Sequence, residues 1–242
     1  MTHEEGDADL RPPILVISPH FDDAVLSCGR FLSVQPGSVV LTVMGGSPAS
    51  WDLVRPWDHE DCGLPLGTDV VALRKEEDRE ALSLLGCRVR WGDVLDIQYC
   101  DDAELVERSG RVLDTLEDAL ADCEPATCLL PLGTKHPDHK EVRRLALSAA
   151  QRQNGSCRWF VYEELPYRPR HPSDYEDALD EIRSSGWTLT PASPVLDRDS
   201  ARKNSAVQRY RSQLAALTEE GRDLEADLEQ EGYWEIGRTK AG

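Results

Sequence analysis

A chain of 242 residues, 40% hydrophobic and 30% charged, has the size and composition of one soluble α/β domain with a proper core. Its net charge of −18 argues against DNA, RNA or anionic lipid as partners, since each of those needs a basic face. No apolar run approaches the ~20 residues of a membrane span, and the acidic opening "MTHEEGDADLRPP" is the reverse of a signal peptide, so a cytoplasmic location is expected. Residues 1–11 read as a disordered tail, and residues 1–242 as one domain.

In chain order, "ILVIS" from Ile14 reads as a buried strand, followed by a helix beginning near Asp22 and running through Phe31. "SVVLTVM" (38–44) is the second strand. The Gly-, Pro- and Trp-rich stretch that follows it, to about residue 68, reads as a long irregular loop of the kind that covers a site. Residues 70–85 have helical periodicity with Leu73, Ala81, Leu84 and Leu85 on one side, stopped by Gly86. "RVRWGDVL" is a third strand. Residues 103–121 are a helix whose inner face is Leu105, Val106, Val112, Leu113, Leu116 and Leu120. "ATCLLPLG" (126–133) is a fourth strand, and Pro137 opens a helix with Val142, Leu145, Ala146 and Ala149 inward. "CRWFVYEELPY" (157–167) is a fifth strand, and a helix around 201–230 carries Val207, Tyr210, Leu214 and Leu217. This alternation predicts a mostly parallel sheet covered on both faces. The seven scattered cysteines form no CxxC pair and fit reduced thiols, Cys28 among them as packing.

Two short stretches concentrate the chemistry. "SPHFDD" follows the first strand and "TKHPDHK" the fourth, and in an open parallel sheet ligands bind at such strand ends. Together they hold three of the six histidines, His20, His136 and His139, with Asp22, Asp23 and Asp138. Alone, either stretch reads as a helix cap. Jointly they form a zinc-type donor set of imidazoles and carboxylates with one position left for water. His20 and Asp23, three apart on a turn entering a helix, point the same way and serve as metal ligands with His139. Asp22 points elsewhere and suits a general base. His136 suits an electrostatic stabiliser, and Asp138 can hold a histidine ring by its other nitrogen. A magnesium-binding phospho-receiver also places paired acids after its first strand, but "TVMGGSP" lacks the phospho-accepting Asp and His20 would have no role.

These residues resemble the PIG-L/LmbE family of zinc-dependent N-deacetylases. "SPHFDDAVLSCG" and "HPDH" match its metal motifs, with support from "RKEEDREALSLLG", "YEELPY" and "KNSAVQRYRSQ", over residues 12–215. The resemblance implies a Rossmann-like three-layer sandwich, Zn²⁺ or another divalent transition metal on His20, Asp23 and His139, Asp22 as base, and His136 stabilising the tetrahedral intermediate. It implies as substrate a small N-acetylated amino sugar, such as an N-acetylglucosamine conjugate, with Arg74 and, more weakly, Asp96 contacting it. A non-catalytic sugar-binding relative of the same fold is the alternative reading. Ala24 and Gly29-Arg30 depart from the family pattern, at positions not assigned to the metal. Trp51 and Trp57 offer either stacking surfaces for a sugar or packing for their loop, and His59 reads as a loop residue.

Overall fold

The computed structural model describes residues 10–153, 157–198, 200–218 and 222–239. Five strands run parallel: β1 (Ile14–Ser18), β2 (Val39–Thr42), β3 (Arg88–Trp91), β4 (Thr127–Pro131) and β5 (Arg158–Tyr162). Two more, β6 (Trp187–Ala192) and β7 (Tyr233–Arg238), extend the sheet in the order β3-β2-β1-β4-β5-β7-β6, with β7 antiparallel to both its neighbours. The helices are α1 (Asp23–Ser33), α2 (Val70–Leu84), α3 (Asp102–Cys123), α4 (Pro137–Arg152), α5 (Tyr167–Arg170), α6 (Pro172–Ser184), α7 (Ala201–Val207), α8 (Arg211–Leu217) and α9 (Leu224–Leu228).

The central strands β1, β2 and β4 are buried at every position and mostly apolar because both faces of the sheet are covered. Along β1, Ile14 and Val16 join a core under α1, α2, α7 and α8, while Leu15 and Ile17 join the core under α3, α4 and α6. The result is the expected three-layer α/β sandwich with a mostly parallel sheet. Leu15 is fully buried, so truncating it to alanine would cost about 2–5 kcal/mol.

The structure corrects several expectations. The inward face of α2 is charged: Arg74, Glu77 and Asp78 are buried with Ala81 and Leu82, whereas Leu84 is exposed. Glu77 accepts hydrogen bonds from the Ser212 amide and hydroxyl, and Asp78 from Tyr210 and Trp91, so these acids fasten α2 to α8 and β3. At the start of α3, Leu105 and Val106 face solvent and Arg108 is buried, because its charge is met by Asp138 and Glu141. The helix expected over 201–230 is three short ones. The chain tightens after α7 through Arg209 and Tyr210 amide bonds to Ala206 and Val207, and residues 219–221 lie outside the described residues. The antiparallel β6 and β7 and helix α6 were not anticipated. Of the expected tail, residues 1–9 lie outside the described residues, while Leu10 is buried and the Arg11 amide donates to Thr127 Oγ1.

Candidate metal centre and substrate cavity

Short-range bonds shape the turn after β1. Ser18 Oγ donates to the His20 carbonyl (2.6 Å) and accepts from the Ala24 amide (3.0 Å), while Asp23 Oδ2 accepts from the His20 amide (2.8 Å). After β4 the chain turns at Gly133, whose φ of +76° disfavours side chains; a Cβ there would lie 2.9 Å from the Arg143 Cβ and 3.0 Å from the His139 carbonyl. Pro137 begins α4, and His136 caps it by accepting the Asp138 amide on Nδ1 at 3.2 Å.

β1 and β4 are adjacent, so the two turns meet. His20 Nδ1 lies 3.0 Å from His139 Nε2, and Asp23 Oδ2 lies 3.4 Å from the first and 3.3 Å from the second. Ligands 2.0–2.1 Å from a tetrahedral zinc would be separated by about 3.3–3.4 Å. The donor chemistry also fits a cation. His20 Nε2 lies 3.1 Å from Asp138 Oδ2 and His139 Nδ1 lies 2.5 Å from Glu164 Oε1, so each ring gives its N–H to a carboxylate. The remaining lone pairs converge on Asp23, where only a proton or a metal ion relieves their repulsion. His136 also faces this centre, its ring centroid 4.9 Å from that of His20, and Asp96 Oδ2 lies 3.7 Å from His20 Nε2. Ring nitrogens of His20, His136 and His139 lie within 4.8 Å of one another, as do donor atoms of His20, Asp96 and Asp138. The His20–Asp23–His139 triangle is tighter than either group.

The field at this centre favours positive charge. Burial opposes protonation of His139, but Asp23 and Glu164 carry it up to about 10. Burial likewise opposes protonation of His20, and its bonds to Asp138 and Asp23 more than offset this. Burial also favours a neutral Asp23, yet the charge and hydrogen bond of His139 hold it well below the usual carboxylate range. Asp22 behaves differently: burial and then the charge of Asp23 push it up to about 6. Its side chain makes no capping hydrogen bond to α1 and meets no other side chain in a hydrogen bond or ion pair among the described residues. Burial and the charges on His20 and His139 push His136 down to about 4.

Asp22, Asp23, His20 and His136 line a cavity of about 160 Å³ together with Arg74, Asp96, Gln98, Tyr99 and Gln213, with Trp57 and Tyr167 also on its wall. Arg74 faces the cavity but its Nη2 lies 2.8 Å from Asp58 Oδ1. Asp96 caps the turn Ile97–Tyr99 by accepting from the Gln98 amide. Trp51 packs edge-on against Tyr99 instead of lining the cavity, and His59 bonds within its own loop to Arg55. A larger hollow between α4 and α6 is an open surface groove without the histidines.

Sequence reasoning assigned no role to Glu164, Arg108, Asp58 or Gln213. Glu164 had a readable signal, an acid just past the end of a strand beside the fourth. It accepts the Thr134 amide (2.6 Å) and hydroxyl (2.8 Å) as well as His139. Arg108 Nη2 lies 2.6 Å from Asp138 Oδ1, neutralising the acid behind His20.

Residues 15–150 match the PIG-L family, described as GlcNAc-PI de-N-acetylase. The chain is 27% identical over 241 residues to 2'-N-acetylparomamine deacetylase of Niallia circulans, covering 84% of this chain and 81% of that one. A crystal structure of an A40926 pseudoaglycone deacetylase matches with TM-score 0.77 and 29% identity, covering 95% of this chain and 98% of that one. A zinc-inhibited form of a teicoplanin deacetylase matches with TM-score 0.79 and 24% identity over 95% and 99%, a likeness of fold. No helix among the described residues is long and apolar enough to cross a membrane. With the family match spanning more than half its length and the two histidine motifs joined at one site, this chain belongs to the PIG-L family and is a hydrolytic deacetylase.

Proposed function

We propose that the chain works as one metal-dependent N-deacetylase domain, removing an acetyl or other acyl group from the nitrogen of an amino sugar. The observation that carries this reading is the His20–Asp23–His139 triangle beside the unpaired carboxylate of Asp22. The amino sugars named for its relatives, on aminoglycoside and glycopeptide precursors, support a sugar-bearing metabolite as substrate. Seven cysteines without a disulfide suit a reducing compartment, and we assign the enzyme to the cytoplasm.

His20, Asp23 and His139 are the residues that would hold the ion, and nitrogen and oxygen donors in this number favour zinc over magnesium or calcium. A bound divalent ion supplies Lewis acidity to the acyl oxygen and acidifies water. Asp22, ionised above about pH 6, accepts the proton of the attacking water and afterwards returns it to the leaving nitrogen. His136 has its Nδ1 occupied by the Asp138 amide, which assigns the proton to Nε2, and its low pKa keeps the ring neutral. It therefore donates one hydrogen bond to the oxygen on which charge develops. Asp138 and Glu164 fix the two ligand rings from behind, and Arg74 and Asp96 contact the sugar from the cavity wall. Pure sugar binding would need no buried proton acceptor at this point, which disfavours a non-catalytic role.

The test is amine release from a panel of N-acetyl amino sugars by metal-loaded protein, with and without a chelator. Release that stops with the chelator and returns with zinc is expected. No release from any member, or release indifferent to the chelator, overturns the reading.

A further inference from the structure

Asp58 lies on the loop between β2 and α2, inside a single π-helical turn (Trp57–Asp61), and is fully buried although most of that loop is exposed. The loop closes on itself through the Gly67 amide to the Trp51 carbonyl (3.1 Å) and the Leu64 amide to the Asp58 carbonyl (2.9 Å). Asp58 Oδ2 accepts the Tyr99 hydroxyl at 2.6 Å, and Oδ1 forms the 2.8 Å ion pair with Arg74 Nη2, close but off the line of the N–H. Both partners line the cavity.

Arg74 is the one lysine or arginine lining that cavity among the described residues, against the carboxylates of Asp22, Asp23 and Asp96. Asp23 belongs to the metal triangle. With Asp58 in place the Arg74 charge is balanced inside the protein, so a ligand beside Arg74 meets Asp96 and, toward the floor, Asp22, with no side-chain cation left to pair with it. The buried Arg74 Nε still lacks a hydrogen-bond partner and suits a neutral hydroxyl. The pair is almost wholly shielded from water, its side chains 5% and 0% exposed, so the balance is not screened away by salt. We propose that Asp58 sets the charge preference of the site, holding Arg74 in an internal ion pair so that neutral and cationic amino-sugar glycosides are accepted and anionic ones rejected. The proposal rests on the deacetylase reading.

The experiment uses three matched glycosides of N-acetylglucosamine, with 2-hydroxyethyl, 2-aminoethyl and carboxymethyl aglycones, and reads kcat/KM for each on the metal-loaded full-length protein. The wild type should turn over the carboxymethyl glycoside at least about tenfold less efficiently than the hydroxyethyl one. Asp58→Asn, which frees the Arg74 charge, should raise the carboxymethyl-to-hydroxyethyl ratio about tenfold. The ratio is internal to one preparation, so partial misfolding does not move it. Adding Arg74→Gln should return the ratio to its wild-type value. Tyr99→Phe, which removes the other anchor of Asp58, should change both glycosides alike. A ratio unmoved by Asp58→Asn, or an Asp58→Asn effect that survives Arg74→Gln, overturns the charge filter and leaves the deacetylase reading intact. Release from the wider amino-sugar panel without release from any of the three overturns the filter alone, and no release from either removes the amino-sugar reading and the filter with it.

Discussion

On the floor of the cavity the three residues of the proposed metal triangle and the acids behind them all have partners; along the rest of its wall three buried polar atoms have none among the described residues. The floor is braced by Asp138, Glu164 and, further back, Arg108 and Thr134. The wall presents Arg74 Nε, Gln98 Oε1 and Gln213 Nε2 without hydrogen-bond partners. An unsatisfied buried polar group costs about 1–3 kcal/mol, a cost that a ligand's hydroxyls would remove. The floor is thus arranged before any ligand arrives, and the wall is completed by one.

The largest predicted effect breaks the floor. His139→Ala should abolish metal retention and deacetylation together, whereas Glu164→Gln should weaken metal affinity by about 10–100-fold, the usual loss for a group that orients a ligand. Elemental analysis and zinc titration check both, and equal metal in His139→Ala and wild type would remove His139 from the centre.

Next comes the one floor residue without a partner. Asp22→Asn keeps its size and should keep the metal while turnover falls by about 10²–10⁴. Because the carboxylate must be ionised to accept a proton, kcat/KM in the wild type should fall as pH drops through about 6. A bound cation favours the ionised form, so in the loaded enzyme the acid limb should sit at or below that value. A pH–rate profile checks the limb, and Asp22→Asn should lack it. Metal loss in Asp22→Asn would mean the two aspartates have exchanged roles.

The smallest effect sharpens the wall. Gln213→Leu removes a side-chain nitrogen, Nε2, that has no hydrogen-bond partner among the described residues, so folding stability should change little. KM for an amino-sugar substrate should rise about 3–10-fold, one hydrogen bond's worth, with kcat nearly unchanged. A thermal melt alongside steady-state kinetics separates the two, and an unchanged KM would exclude Gln213 from substrate contact.

The floor was legible in the sequence because its residues come in two short runs at the ends of adjacent parallel strands, where spacing decides which side chains converge. His20 and Asp23 are three apart, and His136 and His139 three apart. Of the wall, the family resemblance pointed to Arg74 and Asp96, but the partners that hold it were not legible, because they are set by tertiary neighbours. Asp58 and Tyr99 are 41 residues apart, and Glu77 meets Ser212 across 135. The charged inner face of α2 illustrates the reason: an apolar stripe was sought where Arg74, Glu77 and Asp78 are buried against partners that no local pattern reveals. The edge strands were missed on similar grounds. β6 carries Pro191 and is half exposed, and β7 buries only Tyr233 and Ile236 of its six residues, so neither shows the unbroken apolar run that marked β1 and β4.

The order of the sheet bears on how the molecule comes off the ribosome. β7 is made after β6 yet lies between it and β5. Until residues 233–238 emerge, β5 has a bare edge and β6 has nothing in the sheet to pair with. The floor of the cavity draws on β1, β4 and the start of the segment after β5, so the proposed metal ligands are all synthesised while that edge is open. A nascent chain can therefore carry every group proposed to hold metal before the sheet that supports them is complete. During that interval chaperones, or other copies of the chain, have an unpaired strand to grip.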